Sequence, residues 1–277
     1  MRKLFVEFRR RKQVGPILLL LLGAITAACG HKATVGVPAG SLPSSAGPSL
    51  PADSAPRVLE AGGDASGIRQ TITHEVAPLE TIWRLSRMYD VSLDAIYAAN
   101  SLRPGDTIHP GQKLIIPNAK ALRNVIPLYP NGCWKYIVIH HTATDVGKAF
   151  SIHRNHVDRG FWNGLGYHFL IDNGTLGKGD GQIEVAPRWI KQQGGAHCSA
   201  GGMNEKGIGV GLVGNFDKEV PTTAQMQSLM HLLKTLCRYY HIPPSHVIGH
   251  RDAPGANTAC PGRHLSLTTI RQNLTRP

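Results

Sequence analysis

The sequence predicts an α/β fold, with a central mixed β-sheet and packed helices, preceded by a small βααβ module. Three apolar runs, at 136–139, 166–172 and 207–216, have the length of buried strands. A fourth run, starting at Thr222, places Met226, Leu229, Leu233 and Leu236 on one helical face. Strands that alternate with helices in one region are typical of a sheet with helices packed on it.

The first 28 residues have the layout of an export signal. Six Lys/Arg residues and one Glu come first, and an apolar run interrupted by Pro16 and Gly23 follows them. The run is shorter than the roughly 20 residues that a membrane-spanning helix needs. We therefore expect residues 1–28 to be a signal peptide whose removal lowers the formal net charge from +12 to +7.

The remaining positive charge suits an anionic surface such as a cell wall or a membrane. No basic helix and no interleaving of aromatic and basic residues accompanies it, so the sequence predicts no nucleic-acid partner.

The residues around Cys29 resemble the bacterial lipoprotein signal, in which the cysteine is lipidated and becomes the mature N-terminus. Small residues precede it, although Thr26 stands where that signal prefers Leu. Lipidation would anchor the protein in a membrane facing the periplasm or cell wall, the outer membrane in a diderm bacterium. The alternative is ordinary cleavage, with Cys29 incidental. Residues 29–72 are rich in Ala, Pro, Ser and Gly, and we expect them to be a disordered linker.

Residues 73–118 follow the order strand, helix, helix, strand, ending in KLIIP. This segment resembles the LysM family in ETIWRLSRMYDVS, AAN and HPGQKLIIP, while APLET stands where PGDT is usual. The resemblance implies that two loops, before the first helix and after the second, bind glycans containing N-acetylglucosamine, such as peptidoglycan or chitin. The alternative is a small module that only packs. Residues 119–131 are expected to be a second linker, and 132–277 a second domain.

Three residues of this second domain stand at strand ends or in a following loop and are candidate zinc ligands: His140, His250 and Cys260. A catalytic zinc ion takes three ligands of these types and keeps one position for water. Neighbouring strand residues point to opposite faces, so His140 and His141 cannot both reach one site, and periodicity does not say which does. The alternative is a set of core histidines and a disulfide-bonded cysteine.

The other cysteines allow a limited set of disulfides. With one cysteine assigned to lipid and one to zinc, Cys133, Cys198 and Cys237 remain, and at most one intrachain disulfide forms among them. Outside the cytoplasm a zinc thiolate protects Cys260 from the oxidation to which a free thiol is liable.

Five motifs follow one another in the second domain: IVIHHTAT, GYHFLIDNGT, GAHC, GIGVGLVGNF and GHRDAPGANTACPG. In this order they resemble the zinc-dependent N-acetylmuramoyl-L-alanine amidases, the family that includes phage-lysozyme-type amidases and peptidoglycan recognition proteins. The resemblance implies that His140, His250 and Cys260 bind zinc and that Tyr167 is catalytic. Some branches place a Glu and a Lys where this chain has Gly211 and Thr258. The chain therefore resembles the tyrosine-using branch, with Thr258 assisting.

The same resemblance implies the substrate and the reaction. An exported enzyme of this type uses zinc-activated water to cut the amide between N-acetylmuramic acid and L-alanine, while LysM holds it on peptidoglycan. His197, Asn204 and Trp162 are candidate substrate-binding residues, although structural roles are the alternative. A non-catalytic peptidoglycan-binding protein on the same scaffold is the alternative function. We expect a monomer.

Overall fold

The computed structural model describes residues 57–60, 69–120, 122–161 and 164–276. The predicted signal peptide at 1–28, the lipidation candidate Cys29 and the substrate-binding candidate Trp162 lie outside these ranges. Within them, no helix has the length and apolar character needed to cross a membrane.

The βααβ module folds as the sequence predicts. Its two strands pair antiparallel, with Thr73 opposite Ile115, and its two helices lie between them in the chain. The side chains of Thr81 and Ser92 accept hydrogen bonds from backbone amides in the first helical turns, which makes them N-caps. The elements are β2 (Gln70–Glu75), α1 (Ile82–Tyr89), α2 (Leu93–Ala99) and β3 (Lys113–Ala119).

The loop before α1 keeps its turn despite the departure at APLET. Leu79, which stands at the usual Gly position of PGDT, has φ 60°, in the left-handed region. Glu80 is buried and fastens the loop, because its Oε2 accepts hydrogen bonds from the Ala77 amide at 2.9 Å and from His74 Nε2 at 2.7 Å. The exposed Leu79 side chain is therefore held at the tip of a rigid turn.

We expect Leu79→Gly to raise the free energy of unfolding by about 0.5 kcal/mol. Glycine removes the strain of the left-handed conformation, which stabilises the folded state by about 1–2 kcal/mol. Glycine also gives the unfolded chain more conformational entropy, which offsets about 0.5–1 kcal/mol of that gain. Urea unfolding of the purified chain measures the difference. Leu102→Gly, at a partly buried position whose φ is not left-handed, is the control and should destabilise. An equal loss in both variants would contradict the assignment of strain.

The second domain is built on a five-stranded mixed sheet. The strands are β5 (Tyr136–His141), β6 (Phe169–Asn173), β7 (Asp180–Val185), β8 (Gly207–Leu212) and β9 (Val247–Gly249). Their order across the sheet is β7-β6-β8-β5-β9. Four strands run parallel and β7 pairs antiparallel with β6 at one edge. This confirms the predicted fold class.

Helices accompany this sheet. The longest of them, Thr223–Tyr240, begins at a capping box between Thr222 and Gln225 and buries Leu229, Leu233 and Leu236 in the core, as predicted. The helices of this domain are α3 (Ala149–Asp158), α4 (Pro187–Ile190), α5 (Met203–Lys206), α6 (Thr223–Tyr240) and α7 (Leu267–Thr275).

The two segments expected to be linkers contain a pair of strands. In the first, β1 (Arg57–Glu60) pairs antiparallel with β4 (Val125–Leu128) of the second. All four residues of β4 are buried. Because the run VIPL is apolar, removing it from water stabilises the fold, and this accounts for a packed strand at this position. Linker composition alone did not indicate this pairing.

Charged contacts fix the βααβ module against the second domain. Lys148 Nζ lies 2.6 Å from Glu75 Oε1, and Lys178 Nζ donates to the Glu75 carbonyl oxygen at 2.8 Å. The buried guanidinium of Arg84 donates to the Ile183 carbonyl oxygen of β7 at 3.2 Å. The module is therefore packed on the edge of the sheet.

The candidate disulfides do not form among the three cysteines considered. Cys198 and Cys237 have free thiols, as does Cys260, so Cys133 pairs with none of these.

Candidate metal centre and active site

His140 and His141 end β5, an interior strand between β8 and β9, and point to opposite faces of the sheet. His141 Nδ1 accepts a hydrogen bond from the Phe216 amide at 3.1 Å. His140, buried to 2% exposure, faces the other way, and its ring centroid lies 4.7 Å from that of His250. The structure thus brings His140, and not His141, together with the other two candidate ligands.

His250 and Cys260 come from one loop that follows the neighbouring strand β9. His250 opens a short 3₁₀ turn directly after Gly249, and the Gly249 amide donates to Asp252 Oδ2 at 3.0 Å. The Arg251 amide donates to the Cys260 carbonyl oxygen at 2.8 Å, which closes the loop. This is why a Gly- and Pro-rich segment can hold two side chains ten positions apart at one point.

The donor atoms have the spacing of a zinc site. One ligand atom from each of His140, His250 and Cys260 lies within 4.8 Å of the others. His140 Nδ1 is 3.6 Å from Cys260 Sγ. Two ligands on a tetrahedral zinc ion, one nitrogen and one sulfur, are separated by about 3.6 Å. The set His, His, Cys therefore fits zinc in both chemistry and distance.

Burial keeps the three candidate ligands neutral in the absence of a cation. Desolvation places the pKa of His140 well below its ordinary value and also lowers the pKa of His250. Desolvation raises the pKa of the Cys260 thiol to about 11. Neutral imidazoles are the form that binds a metal, and a bound cation converts such a thiol into a thiolate.

His197 and Asn204, the candidate substrate-binding residues, make hydrogen bonds within the protein. His197 is buried, with Nδ1 3.0 Å from Nε2 of His140, and desolvation lowers its pKa to about 3, so it is neutral at physiological pH. Asn204 Oδ1 accepts from the backbone amides of His197 and Cys198 at 2.9 and 2.8 Å. Their contact with substrate stays a prediction.

Tyr167 borders both the candidate metal centre and a cavity. Its ring centroid lies 5.2 Å from that of His140. Burial raises the pKa of its hydroxyl, which is therefore protonated and able to donate at neutral pH. The cavity has a volume of about 340 Å³, and Asn155, His156 and Arg159 of the α3 region also line it.

Thr258 is exposed on the loop that carries Cys260. Its hydroxyl oxygen accepts a hydrogen bond from the Cys260 amide at 3.2 Å. Because that bond uses the oxygen as acceptor, the hydroxyl proton remains available for donation.

Glycines of β8 make room for the rings at the site. A Cβ built on Gly211 would lie 2.8 Å from Cδ2 of Tyr167, and one on Gly209 would overlap the His197 ring. Both glycines lie on the face of β8 opposite Val210, which packs in the core. The space that a Glu side chain would need at position 211 is therefore occupied by Tyr167.

We expect Gly211→Ala to retain zinc and lower turnover, because the added methyl group displaces Tyr167 while the ligand atoms stay in place. Metal analysis and a muramyl-peptide hydrolysis assay measure the two effects separately. Gly132→Ala is the control, since a Cβ there meets no atom within 4 Å. Equal activity of the two variants would contradict a packed position for Tyr167.

Two features of the site were not predicted from the sequence. One is the hydrogen bond between His197 and His140, and the other is the wall that α3 contributes to the cavity. The motif GAHC already singles out His197, but no local pattern indicates a partner 57 positions away.

Comparison with known proteins defines the class. The sequence model of the family described as N-acetylmuramoyl-L-alanine amidase matches residues 130–263, and that of the LysM domain matches residues 74–117. Peptidoglycan-recognition protein 2 of Holotrichia diomphalia is 31% identical over 135 residues, which are 44% of this chain and 67% of the relative. Peptidoglycan-recognition protein SC2 of Drosophila melanogaster is 31% identical over 139 residues, 47% of this chain and 69% of the relative.

Solved structures with similar sequences include an N-acetylmuramoyl-L-alanine amidase, LysC from Clostridium intestinale, at 32% identity and a TM-score of 0.45. That match covers 51% of this chain and 85% of LysC. Bumblebee PGRP-SA is 26% identical, with a TM-score of 0.40 and coverage of 50% and 81%.

The chain belongs to the N-acetylmuramoyl-L-alanine amidase family, which here includes peptidoglycan-recognition proteins. Its particular form is a LysM domain followed by the amidase-family domain.

Proposed function

We propose that this protein is an exported, zinc-dependent N-acetylmuramoyl-L-alanine amidase that hydrolyses the amide between the lactyl group of N-acetylmuramic acid and L-alanine of peptidoglycan. The observation that supports it most is the convergence of His140, His250 and Cys260 beside a protonated Tyr167. Among the described residues three ligands, and not four, come together here, which leaves a coordination position for reaction chemistry.

His140, His250 and Cys260 would hold the zinc ion. When bound, the ion supplies a nucleophile at neutral pH by lowering the pKa of water to about 7, and it polarises the scissile carbonyl. The three side chains come from the carboxyl end of β5 and from the loop after β9, and Tyr167, which lines the cavity, lies beside His140.

Tyr167 stabilises the charge that develops during the reaction. Its protonated hydroxyl donates a hydrogen bond to the carbonyl oxygen as negative charge builds up there, a contribution of about 3 kcal/mol for comparable donors. Burial makes this bond stronger than it would be in water. The exposed Thr258 hydroxyl provides a weaker second donor.

The cavity beside Tyr167 receives the stem peptide. Hydroxyl, amide, imidazole and guanidinium groups line it, from Ser151, Asn155, His156 and Arg159, and they suit the polar peptide backbone. Trp162 lies outside the described residues but follows Phe161 directly in the sequence, and it is also proposed to contact substrate.

A second candidate function is recognition of peptidoglycan without cleavage. The curated relatives named above are peptidoglycan-recognition proteins, which favours this reading. The two candidates differ in hydrolysis: both bind peptidoglycan, and only the amidase releases peptides.

The LysM domain keeps the protein on its substrate by binding N-acetylglucosamine-containing glycan. With zinc removed by a chelator, we expect the chain to sediment with insoluble peptidoglycan and oligomers of N-acetylglucosamine to release at least half of it. Such a competitor occupies LysM loops and leaves the peptide cavity free. Maltose oligomers of equal length are the control. Sedimentation that neither sugar affects would place binding in the amidase-family domain alone.

Export agrees with a peptidoglycan substrate, which lies outside the cytoplasm. The signal peptide at 1–28 and the lipid on Cys29 remain predictions, as does the monomeric state. The anchor would restrict the enzyme to wall within reach of the membrane surface.

The hydrolysis of purified peptidoglycan tests the proposal. Zinc-loaded protein should release soluble peptides, a chelator should stop the release, and added zinc should restore it. Binding without release at every zinc concentration would favour the recognition function.

A further inference from the structure

His197 lies directly behind the candidate ligand His140 and uses both of its ring nitrogens. The two rings meet edge to face, with centroids 5.0 Å apart. Nδ1 of His197 is 3.0 Å from Nε2 of His140, and Nε2 of His197 is 3.1 Å from the carbonyl oxygen of Gly207. His197 thus connects the end of β5 to the start of β8.

The Gly207 carbonyl sets the direction of both hydrogen bonds. A carbonyl oxygen only accepts, so Nε2 of His197 carries the proton. In the neutral imidazole Nδ1 is then an acceptor, so the proton of the second bond belongs to Nε2 of His140. Nδ1 of His140 keeps its lone pair, and this is the atom 3.6 Å from Cys260 Sγ.

The surroundings of His197 leave no competing partner for these nitrogens among the described residues. The nearby His168 is fully buried but already bound, since its Nδ1 accepts from the Gly209 amide and its Nε2 donates to the Gln193 carbonyl oxygen. Asn204 holds the His197 backbone and not its ring. Gly207 itself is fixed in the sheet opposite Tyr136.

We propose that His197 is a positioning residue that holds His140 in the Nε2–H tautomer and so directs Nδ1 toward the metal. Its link to zinc rests on the proposed function, whereas the tautomer is a property of the chain without metal. Such outer partners orient a ligating histidine, and their loss weakens metal binding.

Two substitutions separate this role from a structural one. In His197→Asn the side-chain amide reaches about as far as Nδ1 did, so the acceptor for His140 is kept and the bond to Gly207 is lost. In His197→Gln the amide reaches about as far as Nε2, so the bond to Gly207 is kept and the acceptor for His140 is lost. A purely structural tie to β8 predicts the opposite ranking of the two variants.

The first readout is the ¹⁵N chemical shifts of the His140 ring in the metal-free whole chain. We expect the Nε2–H tautomer in the wild type and in His197→Asn, and a shift toward Nδ1–H in His197→Gln. The second readout is zinc affinity, measured by competition with a chromophoric chelator. His197→Gln should bind zinc about 10- to 100-fold more weakly than the wild type. In His197→Asn the change in the logarithm of the affinity should be less than half as large.

A wild-type His140 in the Nδ1–H tautomer would overturn the proposal, as would equal zinc affinity in wild type and His197→Gln, or a larger loss in His197→Asn than in His197→Gln. If the wild type has the Nε2–H tautomer but binds no zinc, the proposed function fails while the tautomer assignment stands.

Discussion

Cys260→Ala is expected to lose zinc and hydrolytic activity together. The substitution removes the single thiolate from the proposed set of three ligands, so the two histidines alone would have to hold the ion. Loss of a mere outer partner costs up to about 100-fold in affinity, and loss of a ligand should exceed this. Metal analysis after dialysis, alongside peptide release from peptidoglycan, measures both quantities.

Cys237→Ala is the matched control for this prediction. Cys237 is also a free thiol, but it is half-buried on α6 against the core and outside the candidate metal centre. The control should keep its zinc and its activity. Full zinc content in Cys260→Ala would show that the metal is held elsewhere.

Tyr167→Phe is expected to keep zinc and slow turnover by up to roughly 100-fold. The substitution preserves the ring that packs beside His140. It removes only the hydroxyl that we propose donates to the developing oxyanion. Because the interaction forms in the transition state, kcat should fall while KM changes little. Steady-state kinetics on a soluble muramyl peptide measure this separation.

Tyr136→Phe makes the same chemical change at the other end of β5, where the ring stacks on His246. Its kinetics should equal those of the wild type. If Tyr167→Phe also equals the wild type, the hydroxyl is not a donor in the reaction.

The elements with strong local patterns were the ones that could be predicted. The strand that ends at His141, the capped helix after Thr222 and the βααβ order each follow from short-range periodicity or capping, and the structure contains them. The fold class followed from the order of these elements along the chain.

Edge strand β7 was not predicted. Its residues from Gln182 to Val185 alternate between polar and apolar, as in a half-exposed strand, yet Gln182 and Glu184 are buried in the structure together with their apolar neighbours. Glu184 is buried because it meets Lys178 at 3.1 Å, a partner that only the folded structure reveals.

The candidate site was also predictable only in part. Because neighbouring strand residues point to opposite faces, the sequence predicted that only one of His140 and His141 reaches the centre. Which of the two does so depends on what packs against each face of the sheet, and the local pattern does not contain that information. The His197 hydrogen bonds and the place of Tyr167 over Gly211 depend on strands brought together by the sheet, which local sequence does not encode.

Mass spectrometry of the products tests most directly whether the proposed zinc centre cuts the amide between N-acetylmuramic acid and L-alanine. Digestion of peptidoglycan by the zinc-loaded chain should yield peptides with a free amino group on L-alanine and glycan strands with intact lactyl groups, and the Cys260→Ala variant should yield neither. New reducing sugar ends, cleavage between two amino acids, or no products from the zinc-loaded wild type would contradict it.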